Sequence, residues 1–114
     1  MNIHEYQGKQ LLKRYDVDVP MGLVVFSAQE GIDLSDELPE FPLVLKAQIH
    51  SGGRGKAGGI KFVKNRAEYQ QGLRELFQKQ IVTRQSKGSS KTPNAVLIEE
   101  MCQSVKDFYF GIVV

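Results

Sequence analysis

The sequence is constrained most by a glycine-rich segment, Ser51-Gly-Gly-Arg-Gly-Lys-Ala-Gly-Gly59, which holds five of the chain's eleven glycines. Glycine lacks a Cβ and adopts positive φ readily, so such a run lets backbone N–H groups turn toward a ligand and approach it closely. Consecutive inward N–H groups form a concave site for anions. Arg54 and Lys56 add positive charge here, and no acidic residue occurs between Glu40 and Glu68. This composition favours a loop that binds a polyphosphate.

The segments on either side of this loop indicate which kind of phosphate loop it is. The stretch Gly53–Gly58 satisfies G-x-G-x-x-G, but the dinucleotide-binding fold needs that pattern between a strand and a helix. Here 43–49 and 60–64 are both strand-like. The Walker A pattern also fails, because Ala57 follows Lys56 where Ser or Thr is required. The sequence therefore predicts a glycine-rich hairpin loop over phosphates, as in kinases, with a mobile surface hairpin as the alternative.

Composition is that of an ordinary globular protein, with 41% apolar and 25% charged residues in 114 positions. The net charge of +2 is too small to argue for a nucleic-acid partner, and too few aromatic residues interleave with the loop cations to stack bases. The single cysteine, Cys102, excludes an internal disulfide and fits a reducing compartment. No apolar run has the length of a membrane span, and no signal or transit segment is found, so we expect a cytoplasmic protein.

Capping signals and hydrophobic periodicity predict an α+β arrangement. Asn2, Ser27 and Asn65, each with Glu three residues later, predict helix starts, and the second helix is expected to run toward Leu38. The first helix has an apolar face that is expected to pack; its members are Ile3, Tyr6, Leu11, Leu12 and Tyr15. Strands are predicted at 23–26, 43–49, 60–64, 81–84, 95–98 and 106–114. The polar stretch 86–94 predicts a loop.

The last predicted strand has an apolar face with nothing after it to complete the layer. Its alternating residues Phe108, Phe110, Ile112 and Val114 would lie on that face. A strand left in this way is an association hazard. We therefore expect the chain to be the front part of a longer protein.

Lys46 is a candidate binding residue, because it interrupts an apolar strand. An unpaired ammonium is costly to bury, so Lys46 needs a partner or a water-facing cavity. Strand alternation places it on one face with Val44 and Gln48 and leaves the opposite face apolar. Lys46 either points into a cleft and meets phosphate oxygens or lies solvated on an edge strand. The glycine loop that follows its strand favours the first interpretation.

Glu99 and Asp107 flank a connector between two predicted strands. Backbone groups of such a connector suit the edge of an adenine base, and a carboxylate beyond it suits two ribose hydroxyls. The alternative is that Glu99, Glu100 and Asp107 are ordinary surface acids. Glu99 and Glu100 would point to opposite faces of a strand, which makes them a poor metal pair.

Four segments together resemble the N-terminus of succinate–CoA ligase β subunits: Met1–Gln7, Val44–His50, Gly52–Gly59 and Phe108–Gly111. The resemblance covers the whole chain. It implies the ATP-grasp fold, in which a glycine-rich β-loop-β covers the phosphates. Residues 1–114 would then form the N-terminal portion of an ATP-grasp domain, of class α+β, with helices packed on a mixed, largely antiparallel sheet.

The resemblance also implies a nucleotide site. Lys46 would bind the phosphates and the loop around Arg54 would cover them. Glu99 and the backbone at Cys102 would meet the base, and Asp107, where the family commonly has Glu, would hold the ribose hydroxyls. The implied nucleotide-binding residues are Lys46, Gly53, Arg54, Gly55, Glu99, Cys102 and Asp107.

For the whole enzyme, the resemblance implies that succinate, CoA and ATP are interconverted with succinyl-CoA, ADP and phosphate through a phosphohistidine, as in the tricarboxylic acid cycle. The partner would be an α subunit, and the Mg²⁺ ligands would follow residue 114. His4 and His50 are therefore not assigned as the phosphohistidine, and this chain alone is not expected to be active. Pro20 is similar to the ATP-using rather than the GTP-using members. The alternatives are a malate–CoA ligase or related acyl-CoA synthetase, and a non-catalytic nucleotide-binding module.

Overall fold

The computed structural model describes residues 2–51, 53–84 and 89–114. The strands form a single sheet in the order β1-β4-β2-β3, and each of its three pairings is antiparallel. The predicted α+β class with a largely antiparallel sheet is therefore confirmed. In chain order the elements are α1 (Glu5–Arg14), β1 (Gly22–Val25), α2 (Ala28–Asp33), a 3-10 turn (Ser35–Glu37), β2 (Leu43–Gln48), β3 (Ile60–Val63), α3 (Arg66–Gln78) and β4 (Ala95–Glu100).

The register of the sheet sorts its side chains into two faces. In the central pair β2–β4, Val44 lies opposite Glu99 and Lys46 lies opposite Leu97. Residues directly opposite each other in an antiparallel pair have their side chains on the same face. These four residues and Gln48 therefore share one face, here called the α1 face, because α1 lies over it.

The hydrophobic core lies on the opposite face, where α2 and α3 pack. Its fully buried members include Leu43, Leu45, Val96, Ile98, Tyr69, Leu73 and Leu76. The alternation predicted for β2 is thus confirmed. Gly72 lets α3 approach the sheet closely, because a Cβ there would lie 2.9 Å from the Cδ1 atom of Leu45. The Tyr69 hydroxyl donates a hydrogen bond to the Gly31 carbonyl at 2.6 Å and so joins α3 to α2.

The predicted caps at Ser27 and Asn65 are confirmed. Their side-chain oxygens accept the backbone N–H groups of Glu30 and Glu68, at 3.1 Å and 2.9 Å. Each glutamate side chain in turn accepts a hydrogen bond from the backbone N–H of the residue before the cap. The donors are Phe26 at 2.6 Å and Lys64 at 2.8 Å. The second helix ends at Asp33 rather than continuing, and the 3-10 turn takes up the rest of the predicted span.

Helix α1 differs from its prediction in two respects. Its N-cap is His4 rather than Asn2, and the His4 backbone N–H donates to the Gln7 side chain at 2.8 Å. No residue of α1 is buried, and Leu11 and Leu12 are 48% and 47% exposed. Most of the apolar face of α1 is therefore uncovered, and the helix is attached to the sheet mainly by polar contacts and by the packing of Tyr6 against Phe26. Among the described helices, none is long and apolar enough to cross a membrane.

Two predicted strands, 81–84 and 106–114, are wrong. In the first, Ile81 forms only an isolated bridge with Lys91. Residues 101–114 have no regular secondary structure, and all of their side chains are exposed. A strand needs a neighbour for its backbone hydrogen bonds, and the described part of the chain offers none beside 106–114. Met1, Gly52 and part of the predicted loop 86–94 lie outside the described residues.

Candidate functional site

Five charged side chains meet on the α1 face. The Nζ atom of Lys46 lies 2.9 Å from Glu5 Oε1 and 2.8 Å from Glu99 Oε2. The Nζ atom of Lys9 lies 3.0 Å from Glu5 Oε1 and 2.5 Å from Glu99 Oε1. The Arg54 guanidinium contacts Glu5 Oε2. These five residues are called the ion cluster, and its three cations and two carboxylates leave a net charge of +1.

Three parts of the fold bring the ion cluster together. Lys46 and Glu99 come from the adjacent central strands β2 and β4, so Lys46 is not on an edge strand. Glu5 and Lys9 are four residues apart on α1, a spacing that places them side by side on one helix face. Arg54 reaches the same point from the glycine loop.

Polar and aromatic contacts fix the start of α1 over the sheet. The Tyr6 backbone N–H donates to the side chain of Gln48, which is nearly fully buried, at 3.1 Å. The rings of His4 and His50 stack with centroids 3.8 Å apart and planes 16° apart. Because His50 precedes the glycine loop, this stack ties the start of α1 to the base of the loop.

Burial divides the ion cluster into an inner anion and outer cations. The Glu99 side chain is 2% exposed, whereas those of Lys46 and Arg54 are 21% and 18% exposed. Burial alone would raise the pKa of Glu99, but hydrogen bonds and charge from Lys46 and Lys9 outweigh it and lower that pKa. Burial lowers the pKa of Lys9 despite the attraction of Glu99, and it lowers the pKa of Arg54 in the same way. Glu99 thus acts as an internal counter-ion, and the cations keep access to solvent.

The glycine loop connects β2 to β3, as predicted, and begins no helix. Gly53 and Gly58 have φ values of 76° and 79°, in the left-handed region that glycine adopts without strain. The loop closes on itself, since the Gly59 N–H donates to the Arg54 carbonyl at 2.7 Å and the Ala57 N–H donates to the Gly53 carbonyl at 3.3 Å. These two N–H groups are therefore used within the loop in this structure.

The side chain of Arg54 turns back from this loop onto the sheet. Its Nη1 donates to the Ala47 carbonyl at 3.1 Å, and its Nη2 contacts Glu5. The predicted loop cation therefore lies in the same cluster as the predicted strand cation Lys46. Gly53 and Gly55 also line a cavity of about 650 Å³ together with residues 82–84.

A second cavity, of about 410 Å³, opens beside the ion cluster between α1 and the sheet. Lys9 and Glu99 line its charged side, and Val24 and Leu97 of the sheet line its apolar side. Pro20 also lines this cavity. An apolar surface with a few convergent polar groups is typical of small-molecule sites.

Two predicted site residues lie apart from the ion cluster. Cys102 is an exposed free thiol. Asp107 is exposed, and its carboxylate accepts a hydrogen bond from Ser104. The structure thus joins Lys46, Arg54 and Glu99 but not these two residues, whose contacts with a base and a ribose stay predictions.

Glu5 and Lys9 were not predicted as site residues, because the sequence pattern indicates Glu5 only as a capping group. Two signals pointed to them. Lys46 required a partner, and the spacing of Glu5 and Lys9 offered an acidic and a basic group on one side of a helix.

No metal site is assigned within residues 2–51, 53–84 and 89–114, since they contain no group of three His, Cys, Asp or Glu side chains placed to hold an ion. The implied Mg²⁺ therefore does not fit the residues described here. That its ligands follow residue 114 stays a prediction.

Comparison with known proteins finds relatives along the whole chain. The family described as ATP-grasp domain matches residues 2–114. The chain is 49% identical over 113 residues to "Succinate--CoA ligase [ADP-forming] subunit beta" of Halalkalibacterium halodurans, covering 99% of this chain and 29% of that protein. It is 46% identical to the proteins of the same name in Bacillus subtilis and Bacillus velezensis, with the same coverage. The chain thus spans under a third of the length of these curated relatives.

Two solved structures have a similar fold. D-alanine–D-alanine ligase from Helicobacter pylori superposes with a TM-score of 0.57 at 19% identity, over 90% of this chain and 26% of that one. The biotin carboxylase domain of a thermophilic 2-oxoglutarate carboxylase, bound to ADP, superposes with a TM-score of 0.53 at 21% identity, over 85% of this chain and 19% of that one. At these identities the similarity supports the fold alone.

Proposed function

Because the chain belongs to the ATP-grasp family, we propose that it forms the nucleotide-binding lobe of a succinate–CoA ligase β subunit. Its identity of 45–49% to eight curated β subunits supports this assignment. The observation that carries it is the meeting of Lys46 and Arg54 on the α1 face, one from a central strand and one from the glycine hairpin.

In this proposal both cations bind phosphate oxygens. An ammonium has three N–H donors, and Lys46 directs two toward Glu5 and Glu99, which leaves one for a ligand. A guanidinium has five N–H donors, and Arg54 uses only some of them on Ala47 and Glu5. The lobe then acts electrostatically: it positions the triphosphate and neutralises its charge.

The remaining predicted residues complete the nucleotide site. The loop at Gly53 and Gly55 covers the phosphates, and the base enters the 410 Å³ cavity beside Glu99. The backbone at Cys102 meets the base and Asp107 binds the ribose hydroxyls. For that, the segment 101–114 must follow a different path from the exposed one seen here. Pro20 lines this cavity, and its similarity to the ATP-using members supports ATP rather than GTP as the nucleotide.

For the complete protein we propose a cytoplasmic enzyme in which residues 1–114 are the N-terminal portion of the β subunit. An α subunit is its partner, and succinate, CoA and ATP are its substrates. Mg²⁺ would supply charge neutralisation to the phosphates when bound. No catalytic residue is assigned to this chain, and we expect the chain alone to be inactive.

A turnover assay tests this proposal on the full-length β subunit with its α partner. We expect ADP formation that requires both succinate and CoA. Turnover with malate in place of succinate would favour a malate–CoA ligase. ATP binding without turnover on either acid would favour a non-catalytic nucleotide-binding module.

Lys46→Ala tests the assignment of the site in the same assay. We expect kcat/KM for ATP to fall by at least about 30-fold, because a hydrogen bond to a charged group contributes about 2 kcal/mol. The matched control is Lys61→Ala, since Lys61 lies opposite Leu45 on the core-facing side and pairs with Glu75. Unchanged kinetics for Lys46→Ala would contradict the assignment.

A further inference from the structure

Glu5 contacts every cation of the ion cluster. Its Oε1 atom lies 2.9 Å from Lys46 and 3.0 Å from Lys9, and its Oε2 atom contacts Arg54. Glu99 contacts Lys9 and Lys46 from beneath. Within the cluster, then, Arg54 is held by Glu5 alone, whereas Lys46 is held by two carboxylates.

The backbone around Glu5 is fixed independently of these charges. The residue before it, His4, stacks on His50, and the residue after it, Tyr6, donates its N–H to Gln48. The Tyr6 ring also meets the edge of Phe26, with centroids 6.2 Å apart. These contacts fix the backbone at Glu5, and therefore the position of its carboxylate beside the cations, although α1 has no fully buried residue.

Arg54 lies in the glycine loop between Gly53 and Gly55, where its backbone carbonyl accepts a hydrogen bond from the Gly59 N–H. Its side chain is held by two partners, the Ala47 carbonyl at 3.1 Å and the Glu5 carboxylate. Of these two partners, Glu5 is the one that also contacts Lys46. A long side chain that is ordered only when the ligand binds weakens the affinity by about 2-fold to 12-fold. A contact that orders Arg54 beforehand removes that cost from the binding step.

From this geometry we propose that Glu5 is a positioning residue of the nucleotide site, which holds Arg54 beside Lys46 so that both meet the phosphates of a nucleoside triphosphate. This inference rests on the proposed function, since it assigns no ligand of its own. Glu5 acts through the two cations and does not itself touch the nucleotide.

The test compares Glu5→Gln with wild type in the full-length β subunit with its α partner. Glutamine keeps the size of the side chain and one acceptor oxygen but loses the negative charge. We expect the Kd for ATP, measured by titration calorimetry with Mg²⁺ present, to rise about 10-fold. Glu75→Gln is the matched control, because it removes a helix carboxylate paired with Lys61 on α3, and its Kd is expected to match wild type.

A double-mutant cycle separates positioning from a general structural effect. If Glu5 acts through Arg54, Glu5→Gln will raise the Kd much less in an Arg54→Ala background than in wild type, because interacting residues are not additive. An undiminished effect in that background would overturn the inference, as would unchanged or tighter ATP binding in Glu5→Gln alone. Tighter binding would mean that the carboxylate only competes with phosphate.

Two further variants keep the outcome interpretable. Glu5→Asp retains the charge on an arm one methylene shorter, and we expect its Kd to lie between those of wild type and Glu5→Gln. It replaces Glu5→Gln in the cycle if that variant does not fold. Lys46→Ala separates the two proposals. Normal ATP binding in this variant would contradict the proposed function. Weak ATP binding in Lys46→Ala, combined with additive effects of the Glu5 and Arg54 substitutions on the Kd, would contradict only the positioning role of Glu5.

Discussion

Glu99 is nearly fully buried, and each of its carboxylate oxygens contacts a lysine of the ion cluster. From the sequence alone, Glu99 is indistinguishable from an ordinary surface acid at the end of a strand. Its burial follows from its register opposite Val44 on the central strand pair, which sequence alone does not give. The need of Lys46 for a partner was predictable, but the identity of that partner was not.

Replacing Glu99 tests this burial at the residue scale. Glu99→Gln leaves Lys9 and Lys46 with Glu5 as their remaining carboxylate, and we expect a loss of about 2 kcal/mol of local stability. Hydrogen exchange of the β2 and β4 amides in the full-length protein measures it. Glu75→Gln, at an exposed pair, should change these amides far less. If the β2 and β4 amides are equally protected from exchange in Glu99→Gln and Glu75→Gln, the buried ion pairs of Glu99 contribute no stability.

The lowered pKa of Glu99 predicts that the stability of the fold depends on pH. Burial, the largest single effect, would raise this pKa above its ordinary value of 4.5, but the hydrogen bonds and charges of Lys46 and Lys9 together lower it. A carboxyl with a lowered pKa stabilises the fold above its ordinary pKa, and this stabilisation is lost as pH falls through the folded value. Wild type should therefore lose more stability than Glu99→Gln between pH 6 and strongly acidic conditions.

At the scale of elements, α1 and α3 attach to the sheet by different means. Helix α3 buries Tyr69, Gly72, Leu73 and Leu76 against the sheet and α2. Helix α1 has a similar periodicity but buries no residue fully, because the described elements leave most of its apolar side uncovered. Periodicity shows which face of a helix is apolar, and only the fold shows whether a partner lies against it.

The lowered pKa of His4 predicts that the attachment of α1 weakens as the pH falls. Burial, followed by the charges of His50 and Arg54, lowers the pKa of His4 below 6.5. A base with a lowered pKa in the folded state destabilises that state once pH falls through its ordinary pKa. We expect hydrogen exchange of the α1 amides, corrected for intrinsic rates, to speed up relative to α3 between pH 7.5 and pH 5.5. His4→Phe keeps an aromatic ring without a charge and should abolish the difference; an equal pH effect in that variant would exclude His4 as its source.

One buried hydroxyl adds a hydrogen bond to the apolar contact between α2 and α3. Burial raises the pKa of Tyr69 to about 12, and its hydroxyl donates to the Gly31 carbonyl. Tyr69→Phe leaves that carbonyl without this donor, so we expect α3 to lose about 1 kcal/mol of stability against local unfolding. Hydrogen exchange of α3 measures the loss, with the exposed Tyr15→Phe as control. If α3 exchanges equally fast in Tyr69→Phe and Tyr15→Phe, the hydrogen bond from Tyr69 to Gly31 does not stabilise the fold.

At the scale of the whole molecule, the sequence predicted the class, the glycine hairpin and four strands of the sheet. The strand predicted at 106–114 fails because strand formation depends on a neighbour, and the described chain supplies none there. Lys46 and Arg54 could be named as candidate residues because each stands out in one local pattern. Glu5 and Lys9 were missed because the ion cluster forms only where four segments that are distant in sequence converge.

The central claim is that cations on the α1 face bind the phosphates of a nucleotide. Titration calorimetry of ATP against the full-length β subunit with its α partner tests it most directly, comparing wild type, Lys46→Ala and Lys61→Ala. We expect the ATP Kd to be raised at least about 30-fold in Lys46→Ala and to be unchanged in Lys61→Ala. Equal ATP affinity in all three proteins would contradict it.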